Sequence, residues 1–144
     1  MGLIDQNHFC SQEQDLQNLA TEFSKILKAG DVCLLHGEVG AGKTFFTTHV
    51  YEAMGGIRGI TGSPSFTIVN HYPLGALDFF HIDLYRLDDV VEEDSIDQEN
   101  WMNPNGYSFI EWAERFQNWQ PDRGYELYFK YYGTGREVLI KKVK

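Results

Sequence analysis

The amino-acid sequence predicts one small α/β domain, residues 1–144, built on a mixed sheet with antiparallel hairpin additions. Three observations lead to this prediction. An apolar run at 32–36 passes through a glycine-rich segment into a helical pattern, the strand–loop–helix order of a phosphate-binding unit. Two pairs of apolar runs are separated by connections too short for a crossover helix, which indicates hairpins. The chain has too few helices for a fully parallel, doubly wound sheet.

The glycine-rich segment, residues 37–44, reads Gly-Glu-Val-Gly-Ala-Gly-Lys-Thr and matches the pattern G-x-x-x-x-G-K-[ST]. Glycines let the backbone approach an anion closely, and the amide groups at the start of the next helix point toward it. Lys43 is expected to hold the β- and γ-phosphates, and the Thr44 hydroxyl is expected to bind Mg²⁺. The segment therefore predicts nucleotide binding by a small P-loop NTPase-like domain.

The other elements are predicted in chain order. A capping box from Ser11 to Gln14 starts a helix that ends by Gly30, and the P-loop helix stops at residues 55–56. Strands and their connections follow, in this order: strands 66–72 and 77–87 around a turn at 73–76, short helices and loop at 88–106, strand 107–111, and strands 125–132 and 137–143 around residues 133–135.

Composition limits the possible partners and the compartment. The net charge of −9 argues against a protein that holds nucleic acid by itself, because such binding needs clustered Lys and Arg. Acidic residues crowd positions 88–99, which predicts either a solvated helix face or a docking surface for a basic protein. Two cysteines, Cys10 and Cys33, form no disulfide framework, and no apolar run is long enough to span a membrane. We therefore expect a cytoplasmic location.

Two carboxylates are candidates to complete the site. In 77–87 the alternation places Phe80 and Ile82 on an apolar face and His81 and Asp83 on the opposite face, where a nucleotide could lie. Glu111 ends the apolar strand 107–111, where P-loop enzymes place a metal-orienting group. Either Asp83 or Glu111 could be the metal carboxylate, and the sequence does not rank them.

Two weaker signals concern the nucleotide. Residues 63–67, Ser-Pro-Ser-Phe-Thr, suit a loop that senses a γ-phosphate, although an ordinary turn explains them as well. The Asn/Thr-Lys-x-Asp element of guanine-binding P-loop proteins is absent, so ATP is expected rather than GTP.

Taken together, these elements resemble the TsaE (YjeE-type) family of small bacterial P-loop ATPases. Four segments carry the resemblance, in the expected order, over roughly residues 10–140: the P-loop at 37–44, Ser-Pro-Ser-Phe-Thr-Ile-Val at 63–69, His-Ile-Asp-Leu-Tyr-Arg-Leu at 81–87, and Ile-Glu-Trp-Ala-Glu-Arg at 110–115. The combination is far more specific than the P-loop alone.

The resemblance implies an ATPase required for threonylcarbamoyladenosine modification of tRNAs that read codons beginning with A. It implies partnership with a TsaD–TsaB complex, contact with tRNA only through that complex, and slow ATP hydrolysis in isolation. It also implies that Lys43, Asp83 and Glu111 are catalytic: Lys43 holds phosphate, Thr44 and Glu111 hold Mg²⁺, and Asp83 supports hydrolysis. The nucleotide contacts it implies are Ser11, Gly37, Glu38, Val39, Gly40, Ala41, Gly42, Lys43, Thr44, Phe45, Ser65, Thr67, Trp112 and Arg136.

Two alternative functions share the P-loop. A small-molecule kinase would need an acceptor pocket and usually an Arg-bearing lid that excludes water. A nucleotide-gated binding module would use the same phosphate site without useful turnover. Asp83 and Glu111 distinguish the module from the ATPase, because in the module they would affect affinity rather than rate.

Overall fold

The structure, a computed structural model, describes residues 2–38, 40–59, 69–83, 104–111 and 121–143. Its elements are β1 (Asn7–Cys10), α1 (Glu13–Ser24), β2 (Val32–Gly37), α2 (Lys43–Ala53), β3 (Val69–Leu74), β4 (Leu77–Asp83), β5 (Gly106–Glu111), β6 (Gly124–Tyr132) and β7 (Gly135–Lys142). All of these strands lie in one seven-stranded sheet with the order β1-β7-β6-β2-β5-β4-β3. In this part of the chain, neither helix is long and apolar enough to cross a membrane.

The sheet is mixed, as predicted. The central strand β2 runs parallel to β5 and β6, and β4 runs parallel to β5. The pairs β3–β4, β6–β7 and β1–β7 are antiparallel, which confirms both hairpins. Every residue of β5 is buried, the pattern of a strand covered on both faces. Because β2, β4 and β5 run parallel, their carboxyl ends meet at one edge of the sheet, where the P-loop begins.

Helices α1 and α2 pack on one face of the sheet and form the main core. The ring of Phe23 in α1 lies 5.7 Å from Phe46 in α2, 6.3 Å from Phe109 in β5 and 5.3 Å from Tyr125 in β6, between ring centroids. Each such aromatic pair stabilises the fold by about 0.5–1.5 kcal/mol beyond the area it buries. This packing fixes α2, and with it the end of the P-loop, against the sheet.

The start of α1 differs from the prediction. The capping residue is Gln12 rather than Ser11, because the backbone N–H of Gln12 donates to the Asp15 carboxylate at 3.0 Å. Gln14, the predicted partner, instead donates to Asn18. The helix ends at Ser24, well before Gly30.

The β3–β4 hairpin is tighter than predicted. Pro73 and Leu74 pair with Asp78 and Leu77, so the turn is reduced to residues 75–76. Proline is tolerated here because β3 is an edge strand. The predicted strand residues 66–68 and 84–87, and residues 88–103, predicted as helix and loop, lie outside the described residues.

The predicted faces of β4 agree with the structure, but the face of His81 and Asp83 also carries a buried apolar side chain. His81 and Asp83 do share a face, but Phe79 lies on it too, fully buried with its ring 5.0 Å from that of Tyr51 in α2. This is the helix-covered face, and Phe80 on the other face is only partly buried. Hence His81 and Asp83 lie on the same side of the sheet as the P-loop helix.

Candidate nucleotide-binding site

The P-loop joins the end of β2 to the start of α2, as the motif predicts. Gly40 and Gly42 have φ angles of 79° and 105°, values that side chains with a Cβ rarely adopt. The N–H of Ala41 donates to the carbonyl of Glu38 at 3.1 Å and closes the turn. Leu16 of α1 lies so close to Gly42 that an added Cβ would meet its Cδ2 at 2.9 Å. The loop is thus held between a strand and two helices.

Lys43 lies inside this loop. Its side chain is 4% exposed, and its Nζ donates a hydrogen bond to the carbonyl oxygen of Gly37 at the end of β2. The hydroxyl of Thr47 donates to the Lys43 carbonyl at 2.9 Å. A buried ammonium enclosed by glycine backbone is a strong site for a phosphate, because little water screens its charge.

Thr44 and Glu111 meet at the carboxyl ends of β2 and β5. Thr44 Oγ1 donates to Glu111 Oε2 at 2.8 Å. His81 Nε2 contacts the same carboxylate oxygen, and both His81 and Glu111 are buried. A carboxylate with these two partners is held in one orientation beside the start of α2.

The charge state of Glu111 follows from its surroundings. Burial raises the pKa of Glu111, but its hydrogen bond and electrostatic interaction with His81 lower it, and the Thr44 hydroxyl and the Lys43 ammonium lower it further. The net result is a pKa below the ordinary value for glutamate. The carboxylate therefore stays ionised at neutral pH, as a metal ligand must be.

Asp83 lies next to Glu111. The two are Cα partners in the parallel register of β4 and β5 and share a face of the sheet. Asp83 is partly exposed, whereas Glu111 is 3% exposed. The structure thus brings both predicted carboxylates to one edge, with Glu111 in contact with Thr44 and Asp83 nearer to solvent.

The Thr44–Glu111 pair suits Mg²⁺. Magnesium takes hard oxygen ligands and usually needs only one or two from the protein, since phosphates and water complete the coordination. A threonine hydroxyl and an ionised carboxylate within 2.8 Å of each other supply those two oxygens. Over the described ranges, His, Cys, Asp and Glu do not gather in a group of three that could bind a metal without a ligand's help.

A cavity of about 270 Å³ opens beside the P-loop, where the two ends of the chain approach it. Leu16 and Phe45 give it apolar surface, and Gly135 contributes backbone. Its lining includes five of the predicted nucleotide contacts: Ser11, Gly40, Gly42, Phe45 and Arg136. A cavity of this size, part apolar and part polar, suits a nucleobase next to its phosphates.

Four of the predicted nucleotide contacts lie outside the described residues: Val39, Ser65, Thr67 and Trp112. Among the others, Ser11 faces the cavity with its Oγ 3.0 Å from Asp15 Oδ2, and Glu38 is exposed at the start of the loop. The contact of His81 with Glu111 was not predicted. Its only signal in the sequence was the position of His81 on the same face as Asp83.

The chain was compared with known proteins. The model of a family described as threonylcarbamoyl adenosine biosynthesis protein TsaE matches residues 10–138. The chain belongs to the TsaE family. It is 33% identical over 131 residues to the tRNA threonylcarbamoyladenosine biosynthesis protein TsaE of Bacillus subtilis, covering 90% of this chain and 81% of that protein.

Two further relatives agree with this assignment. The protein of the same name from Synechocystis is 38% identical over 100 residues, which are 65% of this chain and 61% of that relative. The crystal structure of Bacillus subtilis YdiB is similar with a TM-score of 0.79 and 26% identity, over 96% of this chain and 86% of that one. The predicted α/β fold is thereby confirmed.

Proposed function

We propose that this chain is a Mg²⁺-dependent ATPase that acts in threonylcarbamoyladenosine modification of tRNA together with a TsaB–TsaD complex. Family membership supports the pathway, because relatives of the chain are named for it. The contact of Thr44 with Glu111 at the end of the P-loop is the observation that supports a Mg²⁺–ATP site rather than a simple anion site.

Each residue of the site has a distinct task in the proposed reaction, which is hydrolysis of ATP by water to ADP and phosphate. Lys43 neutralises charge on the β- and γ-phosphates from its enclosed position in the loop. Thr44 and Glu111 hold Mg²⁺, which when bound neutralises phosphate charge. Asp83, at the exposed side of the pair, accepts a hydrogen bond from the attacking water and orients it.

The charge of the chain fits an indirect role with tRNA. At a net charge of −9 the protein repels a phosphate backbone, so we propose that it reaches tRNA only through its partner complex. We also propose a cytoplasmic location, where tRNA modification takes place. Docking on the partners is then expected to raise the rate of hydrolysis, because partner contact completes a site that is slow alone.

The experiment that tests this proposal is a reconstituted modification assay. TsaB, TsaD, tRNA, ATP and the threonylcarbamoyl donor are combined with wild-type protein, Lys43→Ala or no addition, and threonylcarbamoyladenosine is measured by mass spectrometry of nucleosides. Lys142→Ala removes an exposed lysine at the end of β7 and is the matched control. Multiple turnovers with the wild type and the control, but not with Lys43→Ala, support the proposal. Equal product without the protein refutes it.

A further inference from the structure

The hairpin formed by β6 and β7 reaches the P-loop through two side chains, Tyr131 and Arg136. The two residues are Cα partners in the antiparallel register of the hairpin. Arg136 Cζ lies 4.4 Å from the centre of the Tyr131 ring. A guanidinium stacked on an aromatic face is attracted to it and is restricted in orientation. The Tyr131 ring therefore fixes where the guanidinium points.

The guanidinium points at the P-loop. Arg136 Nη2 donates to the carbonyl oxygen of Gly40 at 3.0 Å, and Nη1 donates to the carbonyl of Gly135 at 2.9 Å. One planar group thus joins the turn of the hairpin to the middle of the loop. Arg136 also lines the cavity beside the loop.

Tyr131 approaches the same glycine from its own side. A Cβ built on Gly40 would lie 2.6 Å from the Tyr131 hydroxyl oxygen. That hydroxyl therefore occupies the space above the Gly40 backbone, whose φ of 79° already depends on glycine. Gly40 is held by Arg136 through its carbonyl and covered by Tyr131 at its Cα.

We propose that Tyr131 is a positioning residue for the nucleotide: through Arg136 and its own hydroxyl it holds the P-loop at Gly40 in the form that binds phosphate. This inference rests on the proposed function, because it assumes that the loop binds ATP. A glycine-rich loop has many conformations, and ordering it before the ligand arrives reduces the entropy lost on binding. Loss of Tyr131 is therefore expected to weaken nucleotide affinity.

The neighbouring Tyr132 provides a matched control. Successive strand residues face opposite sides of the sheet, so Tyr132 points away from the P-loop, and its ring lies 4.9 Å from that of Phe9. Both tyrosines are substantially exposed, Tyr131 at 48% and Tyr132 at 61%. A tyrosine-to-alanine change at either position removes the same atoms from the same strand.

The test measures the Kd for the non-hydrolysable analogue AMP-PNP with Mg²⁺ by calorimetry, the Tm, and KM and kcat for phosphate release from ATP. Tyr131→Ala is expected to raise Kd and KM about fivefold to tenfold, because the Arg136 guanidinium loses the ring it stacks on. The kcat is expected to change by less than about twofold, because Asp83 and Glu111 are unchanged. Tyr131→Phe keeps the ring under the guanidinium and is expected to retain most of the affinity. Tyr132→Ala is expected to bind like the wild type.

The inference is wrong if Tyr131→Ala binds AMP-PNP as tightly as Tyr132→Ala does, or if it lowers only the Tm. If Tyr131→Ala is unfolded at the assay temperature, Tyr131→Leu is measured in its place with the same expectation. Wild-type protein that fails to bind AMP-PNP would instead refute the proposed function. If instead the wild type binds AMP-PNP and Tyr131→Ala binds it equally well, only the role of Tyr131 is refuted.

Discussion

The hydroxyl of Thr44 donates a 2.8 Å hydrogen bond to the carboxylate of Glu111, which lies 67 positions further along the chain. The contact joins the first turn of α2 to the carboxyl end of β5, which lies between β2 and β4 in the sheet. Glu111 thus contacts the P-loop helix directly, whereas Asp83 lies beside it with more access to solvent. The two carboxylates should therefore respond differently to loss of charge.

Glu111→Gln should raise the Mg²⁺ concentration required for half-maximal ATP binding about tenfold or more, because a metal ligand loses its charge. Asp83→Asn should leave that concentration nearly unchanged and lower kcat about a hundredfold, because a group that orients water acts on the rate. Magnesium titrations of nucleotide binding, followed by rate measurements at saturating Mg²⁺, separate the two effects. Equal shifts in the Mg²⁺ requirement of both variants would show that the carboxylates share one role.

His81 is expected to hold the Glu111 carboxylate in place. His81→Leu leaves that buried carboxylate with one hydrogen-bond donor fewer and should lower the free energy of unfolding by about 1–3 kcal/mol. His81→Gln is the matched variant, since its amide can donate to the same oxygen and should recover part of the loss. Urea unfolding at neutral pH without Mg²⁺ measures both. Identical unfolding midpoints for the two variants would exclude a hydrogen-bonding role.

Gly40→Ala tests whether the Tyr131 hydroxyl limits the space above the P-loop. The added Cβ meets that hydroxyl, whereas at Gly59, with a similar φ of 82°, no atom of the described residues lies within 4 Å. Both substitutions strain the backbone by about 1–2 kcal/mol, so Gly59→Ala is the control for strain alone. We expect Gly40→Ala to lower the Tm further and to weaken ATP binding, and Gly59→Ala to leave binding unchanged. Comparable effects at the two glycines would argue against close contact at the loop.

The two cysteines should differ in how ATP affects their reactivity. Burial, with Asp15, raises the pKa of Cys10, and burial, with Asp31, raises the pKa of Cys33 well above its usual value. A raised pKa leaves less thiolate at pH 8, so alkylation of Cys10 by iodoacetamide should be slow and should speed up as the pH rises. Because Cys10 lines the cavity, ATP should slow its modification further.

Mass spectrometry of peptides after timed alkylation, with and without Mg²⁺–ATP, follows each cysteine separately. Cys33, which is fully buried, should react only in urea and serves as the internal control. Equal alkylation of Cys10 with and without Mg²⁺–ATP would place the nucleobase outside the cavity beside the P-loop.

The sequence predicted which candidate residues lie close together better than it predicted the details of the fold. The P-loop is recognisable because its chemistry depends on consecutive residues, and Glu111 because it ends an apolar strand. Its contact with Thr44 joins distant segments, which no local pattern reveals. The role proposed for Tyr131 was hidden for the same reason, since its partner Gly40 lies in another element.

Local errors have local causes. Serine is the more favoured residue at a helix start, but Asp15 accepts the backbone N–H of Gln12, and this local geometry rather than residue preference sets the start of α1. Alternation along β4 does not show which face the helices cover, because both faces carry buried apolar side chains, Phe79 on one and Ile82 on the other. Strand β1 is short, and its pairing with β7 near the other end of the chain gives it its place in the sheet.

The most direct test of the account is phosphate release from Mg²⁺–ATP by the purified protein, alone and with TsaB and TsaD. The account predicts slow release alone, a marked increase with the partners, and no release above background for Lys43→Ala in either case, while Lys142→Ala behaves as wild type. Release that the partners do not change, or that persists in Lys43→Ala, would contradict a partner-activated ATPase at this P-loop.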